Sequence, residues 1–135
     1  MNLSGPIIII EDNLDDQELL DRAFNIVNPG NNVIYFRDSL AAYEWIKTPV
    51  ERPFLIISDI YLPKLTGLEL RDKLLEDPIL RLQNIPFLFF TTTQCSTTIM
   101  DAYSQHAQGF FHKPMEMESL AKMLATIIDY WKLSK

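Results

Sequence analysis

Short, uninterrupted apolar blocks alternate along the chain with longer stretches in which apolar residues recur every three or four positions. The blocks Ile7 to Ile10, Val33 to Phe36, Phe54 to Ile57, Pro86 to Phe90 and Gly109 to Phe111 predict strands covered on both faces, as in the middle of a parallel sheet. The first intervening stretch predicts a helix from about Asp15, with Leu19, Leu20, Ala23, Phe24 and Val27 inward and Asn28-Pro29-Gly30 as its stop. Ser39 is expected to cap a second helix, carrying Leu40, Tyr43 and Ile46 and ending near Thr48-Pro49. Thr66-Gly67-Leu68-Glu69 reads as a capping box, opening a helix with Leu70, Leu74 and Leu75 inward that Asp77-Pro78 closes. A shorter, more polar helix is expected over Thr97 to His106. The last runs from about Met117, with Leu120, Leu124, Ile127 and Trp131 on one stripe.

Strict alternation of five strands and five helices predicts an α/β fold, a doubly wound parallel sheet with helices on both faces. Wound in the flavodoxin-like (βα)5 manner, its strand order is 2-1-3-4-5. With 135 residues and no linker, repeat or low-complexity tract, residues 1–135 read as one domain. Such a domain buries roughly two thirds of its unfolded surface. The formal net charge of −6 and the lack of Lys or Arg runs argue against a nucleic-acid binder. The apolar runs are too short to span a bilayer. A single cysteine, Cys95, excludes an internal disulfide and fits a reducing compartment. Ile7 to Ile10 lacks a preceding basic region and is followed by acid, unlike a secretory leader. A cytoplasmic protein without membrane contact is expected.

Polar groups stand at the carboxyl ends of the strands, where open α/β sheets carry their working residues. Glu11 and Asp12 follow the first strand, Asp59 the third, Thr91-Thr92-Thr93 the fourth, and Lys113-Pro114 the fifth. Strands one, three, four and five cluster these groups in the expected order. Two carboxylates about 4 Å apart repel by roughly 4 kcal/mol at an effective dielectric near 20, so three in one pocket require a cation. Oxygen ligands without His or Cys suit Mg²⁺. Lys113 adds a fixed positive charge and Thr91 a hydroxyl, as a phosphoryl group on an oxygen nucleophile requires. Asp59 is the natural nucleophile, since a carboxylate forms an acyl phosphate.

These residues, in this order, resemble the receiver domains of two-component response regulators, the CheY-like proteins. The likeness covers the whole chain: Glu11-Asp12, Asp59 with Leu62-Pro63 and Gly67 behind it, Thr91, and Lys113-Pro114 after Gly109-Phe110-Phe111-His112. Thr91-Thr92-Thr93-Gln94, Ala102-Tyr103, His106-Ala107 and Tyr130-Trp131 resemble more narrowly the stand-alone receivers that partner bacterial phytochrome-type histidine kinases. The resemblance implies a phosphorelay switch in which Asp59 accepts phosphate from a kinase histidine. It implies that Asp12 and Asp59 ligate Mg²⁺ directly with the backbone carbonyl of Tyr61, and that Glu11 acts through a coordinated water. By the same resemblance Lys113 pairs with the phosphoryl oxygens, and the Lys113–Pro114 bond is cis. Thr91 swings towards the phosphoryl group and Phe110 repacks in response. Two positions depart from the usual pattern: Tyr61, two after the acceptor, and Thr92, after the switch threonine. Both border the path of attacking water.

Two other classes are weighed against this reading. A haloacid-dehalogenase-type phosphohydrolase also forms an aspartyl phosphate, but needs a second Asp where Tyr61 stands. A flavodoxin-like electron carrier needs a phosphate-binding loop after the first strand, where Glu11-Asp12 would repel a cofactor phosphate. Cys95 reads as incidental, and His106 and His112 as surface or rim residues without metal spacing. Ile99, Tyr103, Phe111, Tyr130 and Trp131 bring many aromatic and apolar side chains to one face, formed by the helix over Thr97 to His106, the fifth strand and the last helix. That face is expected to form a homodimer.

Overall fold

The alternation of side chains along five strands divides the molecule into two cores. The computed structural model describes residues 2–48, 51–91 and 107–134; the helix expected over Thr97 to His106, with Thr92, Thr93, Gln94, Cys95, Ile99, Ala102 and Tyr103, lies outside them. The strands are β1 (Ile7–Ile10), β2 (Val33–Phe36), β3 (Leu55–Ser58), β4 (Phe87–Thr91) and β5 (Gly109–His112). All neighbours pair in parallel, in the order β2-β1-β3-β4-β5, as expected. Ile7, Ile9, Leu55, Ile57, Leu88 and Phe90 face one side, with Leu20, Phe24, Leu120, Leu124 and Ile127 packed on them. Ile8, Ile10, Ile56, Phe87 and Phe89 face the other, under Ala42, Ile46, Leu70, Leu74 and Leu80. Helices α1 (Leu14–Val27) and α5 (Met117–Leu133) thus cover the first side, and α2 (Ser39–Ile46), α3 (Gly67–Glu76) and the short α4 (Pro78–Leu82) the second. Among the described residues no helix is long and apolar enough to cross a membrane.

Helix boundaries follow local chemistry, with three differences from expectation. The cap of α2 is Asp38, whose carboxylate accepts from the Ala41 N–H at 2.7 Å. Ser39 is instead the first helical residue, fully buried and bonded elsewhere. An ionised side chain one position earlier satisfies the orphan donor more strongly than a hydroxyl would. Asp77 both ends α3 and opens α4, its carboxylate accepting from the Ile79 and Leu80 N–H groups. Asp-Pro therefore reads here as cap plus first helical residue, the position in which a proline's missing N–H costs nothing. Leu19 is 40% exposed, because the inward stripe of α1 runs through Leu20, Ala23, Phe24 and Val27; a side chain one place earlier is rotated about 100° away.

The start of α3 sets the working end of the sheet. The Thr66 hydroxyl accepts from the Glu69 N–H at 3.1 Å and the Glu69 carboxylate accepts from the Thr66 N–H at 3.0 Å, completing the capping box. Gly67, next in line, donates its N–H to the Ile60 carbonyl at 2.7 Å. A Cβ at Gly67 would stand 2.2 Å from the Asp59 carbonyl oxygen, so only glycine lets the helix begin this close to the third strand. At the far end, Trp131 of α5 packs against the α1 side of the core, while Tyr130 is 63% exposed.

Candidate functional site

The carboxyl ends of β1 and β3 stop beside one another because their registers match, Ile10 lying opposite Ser58. Each is followed by acid. The Asp59 N–H donates to the Ile10 carbonyl at 3.0 Å, and the Glu11 N–H to the Phe36 carbonyl at 3.0 Å. These two ladder-like bonds carry sheet geometry one residue further and fix where the acidic side chains leave the backbone. One oxygen each of Glu11, Asp12 and Asp59 lie within 4.8 Å of one another. The Ile60 N–H donates to Asp59 Oδ1 at 2.7 Å, and the Asn13 N–H to Glu11 Oε2 at 3.2 Å. Asn13 in turn caps α1 by accepting from the Asp16 N–H at 3.0 Å.

Lys113 enters from the end of β5, where its N–H donates to the Thr91 carbonyl at 2.9 Å. Its ammonium donates to Glu11 Oε1, lies 3.3 Å from Asp16 Oδ2 and 3.8 Å from Asp59 Oδ2. Burial opposes its charge, but the hydrogen bond to Glu11 and the charges of Glu11, Asp59 and Asp16 outweigh this and raise its pKa above the usual lysine range. Burial likewise pushes the Glu11 carboxyl up, against the lowering influence of Lys113, with the Asp59 charge adding to the rise. Lys113 therefore stays an ammonium. Glu11, Asp12 and Asp59, with the neighbouring Asp16, set four carboxylates against one ammonium and leave three formal negative charges at the site.

That surplus, and the all-oxygen donor set, fit a divalent hard cation. Carboxylate oxygens spread over less than 4.8 Å suit direct ligation by some and contact through water by others. Behind the cluster lies a crevice of only about 10 Å³, lined by Glu11, Asp59, Lys113, Ser58, Leu20 and Phe90 among others, with room for about one water. A reacting group must therefore approach from the solvent side.

Expected site residues thus come together: Glu11, Asp12, Asp59 and Lys113 form one cluster. Thr91 is buried at the end of β4, joined to Lys113 through the backbone. Phe110 on β5 pairs with Phe89 of β4, their rings 6.4 Å apart, and lies two positions before His112, the partner of Thr91. Tyr61 is 60% exposed beside the acceptor. No peptide bond among the described residues is cis, so the Lys113–Pro114 bond is trans, contrary to the implied isomer. Trans is favoured before proline by about 0.5–1 kcal/mol. Asp16 was not foreseen; its signal is its place four residues after Asp12, in the first turn of α1 and hence over the site. The side chain of Gln17, next to it, donates to the Glu11 carbonyl at 2.6 Å.

Comparison with known proteins decides the family. Residues 7–125 match the response regulator receiver domain. The chain belongs to that family. The response regulator Rcp1 of Synechocystis sp. is similar at 28% identity over 130 residues, covering 93% of this chain and 87% of Rcp1. The probable methanogenesis regulatory protein FilR2 of Methanothrix harundinacea is 28% identical over 129 residues, 93% of this chain and 82% of FilR2. Among solved structures, the phosphorylated cyanobacterial phytochrome response regulator RcpA superimposes with a TM-score of 0.82 at 26% identity, covering 96% of this chain and 95% of that one. The Mn²⁺-bound form of Rcp1 gives 0.81 at 26% identity, with 96% of both chains covered. The likeness to RcpA, a phytochrome response regulator, agrees with the narrower resemblance seen in the sequence. This receiver carries the acidic cluster and the lysine at its strand ends.

Removing the lysine isolates the Glu11 charge. In Lys113→Met without divalent cation, the Glu11 pKa in the folded state should rise further above its unfolded value. A raised carboxyl pKa means a penalty absent below the ordinary value of 4.5 and growing as pH rises through the folded pKa. The stability gap to wild type should therefore widen from mildly acid to neutral pH, reaching roughly 3 kcal/mol. Urea unfolding of both proteins across that range measures it; a gap independent of pH would show that Lys113 does not neutralise Glu11.

Proposed function

We propose that this receiver is a phosphorylation-dependent switch of a two-component phosphorelay in which Asp59 takes the phosphoryl group from a sensor histidine kinase. The observation that carries the reading is the convergence of Glu11, Asp12 and Asp59 within 4.8 Å, with Lys113 against them. The single parallel sheet with helices on both faces supports taking residues 1–135 as one receiver domain. Mg²⁺ would be held by Asp12, Asp59 and the Tyr61 backbone carbonyl, with Glu11 acting through water, and would supply positive charge to the phosphoryl oxygens. An Asp59 carboxylate oxygen attacks phosphorus, the bond from phosphorus to the donor imidazole nitrogen breaks, and the freed imidazole takes up a proton. Lys113 holds its ammonium against the phosphoryl oxygens as charge shifts onto them. Beyond the phosphohistidine donor, transfer and later hydrolysis draw on the receiver's own residues, its metal and water.

Thr91 and Phe110 form the switch in this reading. Thr91 closes β4 and Phe110 lies within β5 opposite Phe89, packed against the α2–α3 side of the core, an arrangement that supports the reading. A hydroxyl that turns towards the phosphoryl group vacates space that an aromatic ring can enter, a two-state packing change of the kind interiors favour. The likeness to the phosphorylated cyanobacterial phytochrome response regulator RcpA supports a phytochrome-type kinase as the partner.

The labelling experiment is direct. Wild-type protein should incorporate one phosphoryl group from acetyl phosphate only when Mg²⁺ is present, Asp59→Asn should take up none, and Asp12→Ala should need more cation. Equal labelling of Asp59→Asn would remove the assignment.

Tyr61 is the residue that sets how long the group survives. Its exposed ring lies two residues from the acceptor, where it restricts the in-line approach of water. Loss of the phosphoryl group should accelerate in Tyr61→Asn. An unchanged or slower rate, followed by phosphate release, contradicts the shielding role.

Association follows from the exposed end of α5. Tyr130 and Leu133 are 63% and 84% exposed, Tyr130 lying edge-on to the partly buried Trp131 with ring centroids 4.9 Å apart, and large exposed aromatics favour interfaces. A homodimer through β5 and α5 is inferred, with an affinity that changes on phosphorylation. Sedimentation should show Tyr130→Glu shifted towards monomer; a wild type that stays monomeric in both phosphorylation states at high concentration ends the inference.

A further inference from the structure

The residues between Asp59 and α3 would supply the metal's backbone ligand, yet the atoms that hold them come from elsewhere in the chain. Ile60 is buried and tied at its carbonyl to the Gly67 N–H. Tyr61 is exposed. From Pro63 to Leu65 the loop is fixed from the side of α2. The Ser39 hydroxyl donates to the Leu65 carbonyl at 2.7 Å, with the Pro63 carbonyl at 3.3 Å, and accepts from the Leu65 N–H at 3.1 Å. One hydroxyl thus satisfies both backbone groups of one loop residue. Beside it, Lys64 sits at φ +71°, a left-handed conformation that strains a residue with a Cβ by roughly 1–2 kcal/mol. Its ammonium lies 3.3 Å from Asp38 Oδ2, the carboxylate whose other oxygen caps α2.

Ser39 is fully buried, and a helix needs no hydroxyl at its first position. A buried serine whose three bonds all reach a loop twenty-four to twenty-six residues away is placed for that loop. We propose that Ser39 is a positioning residue for the phosphoacceptor site: it holds the loop after Asp59 in the conformation that presents the Tyr61 carbonyl to the divalent cation. The role rests on the metal site proposed above. Without the hydroxyl, the Leu65 N–H and carbonyl lose their shared partner. Among the described residues Lys64 keeps one tether of its own, a largely exposed ion pair with Asp38, while the loop's other anchors, buried Leu62 and the Ile60–Gly67 bond, lie to either side. The loop then samples other conformations, and cation binding must first restore the competent one. Affinity falls by the fraction of time the loop is out of place.

Ser39→Ala removes the hydroxyl and keeps the space filled. Mn²⁺ affinity of the full chain, read from the electron paramagnetic resonance of free Mn²⁺, should weaken about 2- to 10-fold, the range expected for loss of one hydrogen bond's worth of restraint. Amide exchange at Leu65 should speed up, and Mg²⁺-dependent labelling by acetyl phosphate should shift to higher cation concentration while still saturating. Asp77→Ala serves as the comparison, since it removes a helix cap that touches neither loop nor cluster. It should lower the urea midpoint without changing Mn²⁺ affinity. Wild-type Mn²⁺ affinity in Ser39→Ala, or an equal weakening in Asp77→Ala, would reduce Ser39 to a structural residue and overturn the proposal. A wild type that binds no Mn²⁺ would instead remove the metal site, and the positioning role with it.

Discussion

Carboxylates repel, and this molecule places several at the ends of adjacent parallel strands. The arrangement persists because Lys113, a hundred and two residues from Glu11 in sequence, brings its ammonium among them. Its distances to Asp16 and Asp59 of 3.3 and 3.8 Å show one cation shared by three acids. The sheet order makes the sharing geometrically available: β1, β3, β4 and β5 are neighbours in that sequence, and the lysine follows the outermost. Even so, one ammonium cannot balance Glu11, Asp12 and Asp59. The remaining charge is the site's standing demand for a divalent cation, and the chemistry proposed for Asp59 depends on it.

Around that demand the rest of the fold is arranged as support. Asn13 caps α1 while its own N–H steadies Glu11. Gly67 gives α3 a start in contact with the Asp59 backbone. Ser39 and Asp38 reach from α2 to the loop between. Each of these residues works at the junction of a helix with a strand end, and each would look unremarkable in a sequence viewed one element at a time.

Much of this was legible beforehand. Uninterrupted apolar runs marked all five strands to within a residue; β3, β4 and β5 each run one position further, onto Ser58, Thr91 and His112, because backbone pairing continues past the last apolar side chain. The acidic pair, Asp59 and Lys113 could be brought together from strand order alone. What was not legible involved choices between neighbouring residues. Asp38 and Ser39 are both good helix caps, and only the position of the loop at Pro63 to Leu65 decides that the hydroxyl turns inward and the carboxylate caps. Asp77-Pro78 carries the same letters whether it ends one helix or also begins another; packing of Leu80 into the α2–α3 side of the core settles it. Leu19 differs because the inward stripe of α1 runs through Leu20, Ala23, Phe24 and Val27, and Leu19 falls beyond its edge. Asp16 escaped notice because its role depends on the partner of Lys113, not on any motif of its own.

The four isoleucines of β1 carry a further consequence. Identical side chains at every position mean that the strand contains no information about its own alignment: sliding it by one residue against β2 and β3 would exchange one isoleucine for another on both faces. The usual penalty for a slipped strand, apolar groups turned to solvent, is missing here. What pins the frame is the polarity change at the strand's end. A slide in one direction would draw Glu11 into the sheet between β2 and β3, and a slide in the other would leave Ile10 among the acids. The residue that the site uses as an acid is thus also the punctuation mark that tells a uniform strand where to stop.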